Sequence, residues 1–241
     1  VVGDVLIAAG TVAYLGPFDS VYREEITNEW RTTCPLKFTP GCDITSVLGN
    51  PVVIADWNIQ GLPSDAFSVQ NGIIVEKDSR WPLCIDPQGQ ANKWIKNMEE
   101  KSNIKVVKAS DSTTIIQRTL EGAVQLGNPV LIENCAQSLD PTLDPILSNA
   151  YFKDSSGALQ IKIGDSIISY NEDFKFFLTT VLPNPHYPPE VAVKVSLLNF
   201  TITRLGLEEQ LLVVLVEQER PEVAAKKATL IIQGAENNRQ L

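Results

Sequence analysis

The apolar positions change period along the chain, and each change marks a new element. Val5, Leu6, Ala9, Val12, Ala13 and Leu15 recur at helical spacing behind Asp4, a residue suited to cap a helix, and Gly16-Pro17 stops the run. Tyr22, Ile26 and Trp30 lie on one face of a second predicted helix that starts at Asp19 or Ser20. The stretch from Thr32 to Asp43 holds Pro35, Pro40 and Gly41 and reads as a loop. Asp43 then caps a short turn with Ile44, Val47 and Leu48, ended by Gly49. Residues 1–50 form a helical lead-in.

From Pro51 the texture differs. Val52 to Ala55 is a short apolar run, and Ser64 is placed to cap a helix with Asp65 in its first turn, where a carboxylate suits the dipole. Asn71-Gly72 predicts the end of that helix, with Ile73 to Val75 extended. Beyond it strands and helices alternate. Trp81 to Ile85, Lys105 to Ala109, Pro129 to Glu133, Phe174 to Thr180 and Val195 to Ile202 are bounded apolar runs of strand length. Between them fall helices from Gln90 to Lys101 and from Thr113 to Leu126, another opened by Asp140-Pro141, and a hairpin of 160–163 with 166–170 about Gly164-Asp165. Helices that separate continuous apolar strands imply a parallel sheet covered on both faces. Residues 51–206 therefore read as an α/β core with a five-stranded parallel sheet. Residues 207–241 read as C-terminal helices: an apolar one from Leu207 to Val216, a break at Arg220-Pro221, and a polar one from Glu222 to Leu241. That last helix is too poor in apolar surface to stand alone and calls for a partner helix.

With 241 residues, the chain can bury roughly 70% of its unfolded surface and needs no disulfide or metal staple. Its net charge of −9 repels phosphate backbones, which excludes nucleic acid and anionic membrane as partners of the chain as a whole. No run approaches the length of a membrane helix, and no basic stretch with an apolar run and cleavage site of the secretory kind is visible in these residues. The opening Val1 and the single methionine, Met98, predict a piece of a longer protein. Cys34, Cys42, Cys84 and Cys135 form no C-x-x-C pair, and with His186 as the one histidine they read as scattered reduced thiols; no metal site is expected.

The strand-loop-helix junction Asp86-Pro87-Gln88-Gly89-Gln90-Ala91-Asn92-Lys93-Trp94 stands where a phosphate cradle would sit. A working loop of the form G-x-x-x-x-G-K-[ST] needs glycines for close backbone approach, a lysine for the β- and γ-phosphates, and a hydroxyl for Mg²⁺. Aligned on Lys93, the glycine positions hold Pro87 and Asn92, and the hydroxyl position holds Trp94. Pro87 also removes a backbone donor. Gln88 and Gly89 complete the vestigial loop. On the next candidate strand Glu133 could hold a metal, but Asn134 cannot act as a base. Near the end of the next parallel strand Thr179-Thr180 takes the place of a γ-phosphate sensor, with Thr180 the sensor-like residue. Together these departures predict a site that neither binds nor hydrolyses nucleotide, with no catalytic residue. The bland readings prevail elsewhere. His186 lies in a proline-rich turn with no G-x-S-x-G elbow in the sequence, Trp57, Trp81 and Trp94 read as core or interface anchors, and Lys93 and Lys96 as solvated helix positions.

These residues also carry a resemblance. The string Trp81-Pro82-Leu83-Cys84-Ile85-Asp86-Pro87-Gln88-Gly89-Gln90-Ala91-Asn92-Lys93-Trp94-Ile95-Lys96-Asn97-Met98-Glu99 closely resembles the fifth AAA+ module of dynein heavy chains. Gly61 to Ser68, Asn71 to Val75 and Leu197 to Thr203 are similar to it as well, and Gly3 to Phe18 resembles the junction that follows the stalk. The Gln90 to Lys96 segment looks axonemal rather than cytoplasmic. The resemblance implies an AAA+, P-loop-NTPase-like large subdomain in a microtubule motor of the cytoskeleton, in a ciliary or flagellar axoneme. It implies that this module carries no cofactor, while other modules of the parent hold ATP and Mg²⁺. It implies as partners the fourth and sixth modules, the stalk and the linker element of the same heavy chain, with the microtubule reached only through the stalk. It also implies that Glu222 to Leu241, with Gln233-Gly234-Ala235-Glu236-Asn237, starts the strut that props the stalk, which makes the module a mechanical relay. The competing expectation is an active P-loop NTPase with an unusual phosphate loop.

Overall fold

Apolar runs too short for helices become strands, and the helical lead-in becomes a bundle. A computed structural model of the chain describes residues 2–155, 157–223, 225–226, 229–230 and 233–234. They gather into two units, one drawn from the chain up to Lys77 and from Phe200 on, the other from Asp78 to Asn199.

The first unit opens with α1 (Val2–Tyr14) and α2 (Ser20–Thr33). Asp4 does not cap α1, which starts before it. Its carboxylate instead accepts from the Thr39 amide at 2.9 Å and the Thr39 hydroxyl at 2.8 Å, pinning the loop that precedes α3 (Ile44–Leu48). Asp19 caps α2 through the Tyr22 amide, and Asp43 and Ser46 close a capping box on α3. The Val52–Ala55 run is helical, within α4 (Pro51–Ile59), because Asn50 caps it and Pro51 fills its first turn. α5 (Ala66–Lys77) departs twice from expectation. Asp65, not Ser64, accepts from the Ser68 amide at 3.1 Å and the Ser68 hydroxyl at 2.8 Å. Asn71-Gly72 also fails to end the helix. Gly72 faces the Trp57 ring, 2.8 Å from where a Cβ would stand, and the Asn71 side chain accepts from Arg23. Tertiary partners override the local turn signal.

Arg23 binds this unit together. Although 3% exposed, its guanidinium donates to the carbonyls of Leu15 (2.9 Å), Gly16 (2.8 Å) and Phe18 (3.1 Å) and to Asn71 Oδ1 (2.7 Å). Its Cζ lies 4.3 Å from the centre of the Phe67 ring. One planar fork thus satisfies the turn after α1 and fastens it to α5. Burial pulls the Arg23 guanidinium down to about 9 against the opposing charge of Asp19, so it stays cationic at neutral pH.

The second unit carries β1 (Trp81–Ile85), α6 (Gln90–Met98), β2 (Lys105–Lys108), α7 (Thr113–Leu126) and β3 (Val130–Glu133). A 3₁₀ turn at Pro141–Leu143, capped by Asp140, leads into α8 (Asp144–Leu147). Then come β4 (Tyr151–Lys153), β5 (Leu159–Ile163), β6 (Ser166–Ser169), β7 (Phe176–Thr180), α9 (Pro189–Ala192) and β8 (Val195–Asn199). The main sheet is five-stranded and parallel in the order β2-β3-β7-β1-β8, as the alternation of runs predicts. Every position of β7 is buried, which fits a central strand covered on both faces. The predicted hairpin is β5-β6, paired from Gln160 with Ser169 to Ile163 with Ser166, and β4 adds a third antiparallel strand that the sequence pattern did not reveal. Ile161 and Ile163 turn inward onto the core of Leu120, Ile132, Phe176 and Leu178.

α10 (Arg204–Glu219) completes the first unit, with Thr203 as its cap. It exposes Leu207, Leu211, Leu212, Val213, Val214 and Leu215. The polar helix predicted for 222–241 is helical at 222–223, 225–226, 229–230 and 233–234, and its other positions lie outside the described residues. Among the described residues no helix is long and apolar enough to cross a membrane.

Arg23→Met leaves the turn carbonyls and Asn71 without their donor, and should cost about 3 kcal/mol of stability in urea unfolding. Arg23→Lys should recover little of the loss, because an ammonium cannot span the same acceptors.

Candidate functional site

In an open parallel sheet, ligands meet the carboxyl ends of the strands where the connections change direction. Here β1 runs on to β2 across β7 and β3, whereas β7 runs on to β8 across β1. The ends of β3, β7 and β1 therefore lie side by side, with Ile85 in register with Thr180 and Ile132 with Leu178. This brings the β1–α6 loop, Glu133 and Thr180 to one place, as their order in the sequence implies.

The loop is governed by Asp86. This residue is 2% exposed, and its amide donates to the Thr180 carbonyl at 2.8 Å. Its side chain turns to the first turn of α6, where Oδ1 accepts from the Gln90 amide at 2.8 Å and Oδ2 from the Asn92 amide at 2.9 Å. Gly89 holds the cap position in the left-handed conformation (φ 75°), which favours glycine, and offers no capping side chain. Burial pushes the Asp86 carboxyl above the usual range, while the amides of Asn92, Gln90, Gly89 and Ala91 pull the other way. Pro87 is half-buried, Gln88 is exposed, and the Lys93 side chain points to solvent. Trp94 is fully buried, one of the largest side chains in the interior.

Asn92 reaches across to the neighbouring strands. Its Nδ2 donates to Glu133 Oε1 at 2.9 Å and lies 3.4 Å from Thr179 Oγ1. The same carboxylate oxygen pairs with Lys96, so Lys96 is not the free solvated residue that its helix position suggests. Burial alone would raise the Glu133 carboxyl. The hydrogen bonds from Lys96 and Asn92, with the charges of Lys96 and Lys108, outweigh it and hold the group below its ordinary value. Asn134 is exposed and left-handed (φ 59°), turning the chain so that the Cys135 amide returns to the Thr179 carbonyl. The buried Thr180 hydroxyl donates to the Cys135 carbonyl at 2.8 Å and accepts from the Leu182 amide at 3.2 Å.

The structure thus joins Asn92, Glu133 and the Thr179-Thr180 pair, and leaves Lys93, Gln88 and Asn134 facing outward. Sequence reasoning missed the roles of Asp86 and Lys96. Asp86-Pro87 ahead of a helix is a capping signal of the kind read at Asp140-Pro141, but Gly89 holds the cap position and the Asp86 carboxylate reaches past it to the Gln90 and Asn92 amides. Burial raises the Cys84 thiol well above its usual value and the Cys135 thiol to about 12, so neither is a nucleophile at neutral pH. Among the described residues no group of three or more His, Cys, Asp and Glu side chains could hold a metal ion.

Glu133→Gln tests the network. Because the folded-state value lies below the ordinary 4.5, the carboxylate adds stability above that pH, and the gain is lost as pH falls through the folded value. The variant should be about 1 kcal/mol less stable at pH 7, with the difference closing on acidification, as read by urea midpoints across pH 3 to 7.

The sequence matches the family described as the ATP-binding dynein motor region over residues 55–241. It is 52% identical over 242 aligned residues to dynein axonemal heavy chain 3 of Mus musculus, covering 99% of this chain. It is 48% identical to dynein axonemal heavy chain 1 of Rattus norvegicus and 44% to dynein axonemal heavy chain 6 of Homo sapiens, over 99% and 100% of this chain. The chain spans 5–6% of the length of these relatives. A five-stranded parallel sheet of the AAA+ kind, a strand-loop-helix junction at its carboxyl edge and a match over most of the sequence converge: the chain belongs to the ATP-binding dynein motor region family.

Proposed function

We propose that the chain is the large subdomain of a non-catalytic AAA+ module, the fifth in the motor ring of an axonemal dynein heavy chain, and that it relays motion instead of turning over nucleotide. The observation that carries this reading is the state of the phosphate loop. The side chain at the position of the magnesium-holding hydroxyl is Trp94, fully buried. Asn92 stands in a glycine position and ties down Glu133, the acid best placed to hold a metal. Hydrolysis needs a cradle, a metal and a positioned water together, and the residues present suit none of the three.

In this reading ATP and Mg²⁺ act in other modules of the parent, a microtubule motor of cilia or flagella. The fourth and sixth modules, the stalk and the linker element are the neighbours, and residues 222–241 begin the strut that props the stalk. The apolar surface of α10 supports a module that meets other parts of a larger assembly. A close-packed sheet supports the relay, since dense interiors pass a displacement on instead of absorbing it. A second reading, an active NTPase with an unusual loop, draws on Glu133 at the end of β3.

Titration calorimetry separates the two. The chain should give no saturable heat with ATP or ADP in the presence of Mg²⁺, and Lys93→Ala should change nothing. Micromolar binding, or phosphate release that Lys93→Ala abolishes, would establish the second reading in place of the first.

A further inference from the structure

The first turn of α6 is where this fold would present backbone amides to a phosphate, and those amides are already engaged. An ordinary helix cap is the residue next to the helix, and it is commonly exposed. Here the adjacent residue is Gly89, which has no side chain to offer. The acceptor comes instead from Asp86 at the end of β1, buried, with its two oxygens divided between the amides of Gln90 and Asn92. Two anionic oxygens on neighbouring amides at a helix N-terminus is the contact a phosphoryl group makes at such a site.

We propose that Asp86 is a built-in ligand: its carboxylate occupies the phosphoryl position at the start of α6, and the module excludes phosphate and nucleotide by binding its own side chain there. This rests on the reading of the module as nucleotide-free and gives that state a cause separate from the missing motif residues. An external phosphate would have to displace an anion tethered beside the same amides. It would also meet the negative charge of Asp86 at close range. Pro87 and Trp94 remove features that bind nucleotide; Asp86 fills the place that remains. With the carboxylate removed, the amides of Gln90 and Asn92 need a new acceptor, and the Lys93 ammonium on the same turn adds favourable charge.

The test uses the whole chain with inorganic phosphate as the probe. In amide-resolved NMR, the Gln90 and Asn92 signals of the unaltered protein should not move as phosphate is added to tens of millimolar. In Asp86→Ser they should shift saturably, with a phosphate affinity at least about tenfold above that of the unaltered chain. If Asp86→Ser does not fold, Asp86→Asn keeps the shape of the side chain without its charge, and phosphate should then raise its Tm while leaving that of the unaltered chain in place. Saturable shifts in the unaltered chain, or a folded variant with no gain in phosphate binding, would overturn the proposal. The second result would leave the nucleotide-free reading intact. Saturable nucleotide binding by the unaltered chain would instead remove that reading itself.

Discussion

A helix that begins at the edge of a sheet leaves its first amides without partners, and something must accept from them. At α6 that need is met from inside the chain, by a carboxylate at the end of the preceding strand. The rest of the site follows from this contact. It draws the β1–α6 loop tight, puts Gly89 into the left-handed conformation, and sets Asn92 facing the ends of β3 and β7. Glu133 is then held by Asn92 from one side and Lys96 from the other. The carboxylate at the end of β3 thus faces the helix.

Much of the architecture was legible because continuous apolar strands have few alternatives. Once Trp81 to Ile85 and Phe176 to Thr180 are buried on both faces, a parallel sheet with helices on each side is the arrangement that covers them. The errors share a cause. Asp4, Asn71 and Gly72 carry local signals for a cap and a turn, yet their partners are Thr39, Arg23 and Trp57, residues remote in sequence. A pattern read within a window of a few residues cannot weigh such contacts against its own preference. The same limit hid the site. Pro87, Asn92 and Trp94 were visible as departures from a motif, whereas Lys96 has a role set by Glu133, which only the fold brings close, and Asp86 caps across the intervening Gly89.

Each of the two units is held by its own means. Where the sheet unit has a dense apolar core, the helical unit turns on a buried cation that reads main-chain carbonyls. A guanidinium in that position tolerates little displacement, because three of its acceptors are main-chain carbonyls and the flat face rests on Phe67. The leucines and valines along α10 are then surface that a larger assembly would cover, in keeping with a chain that spans a small part of its relatives.

The buried carboxylate also bears on how readily such a loop could be turned into a phosphate cradle. An aspartate codon lies a single base from a glycine codon, so losing the internal anion is an easy genetic step. Introducing glycines at Pro87 and Asn92 takes more than one base change each, and a small alcohol at Trp94 would leave a hole in the interior where the indole now sits. Each intermediate on that route would lose helix capping or core packing before any nucleotide could compensate. On the proposed reading, the loop is therefore kept in its present form by the folding it supports.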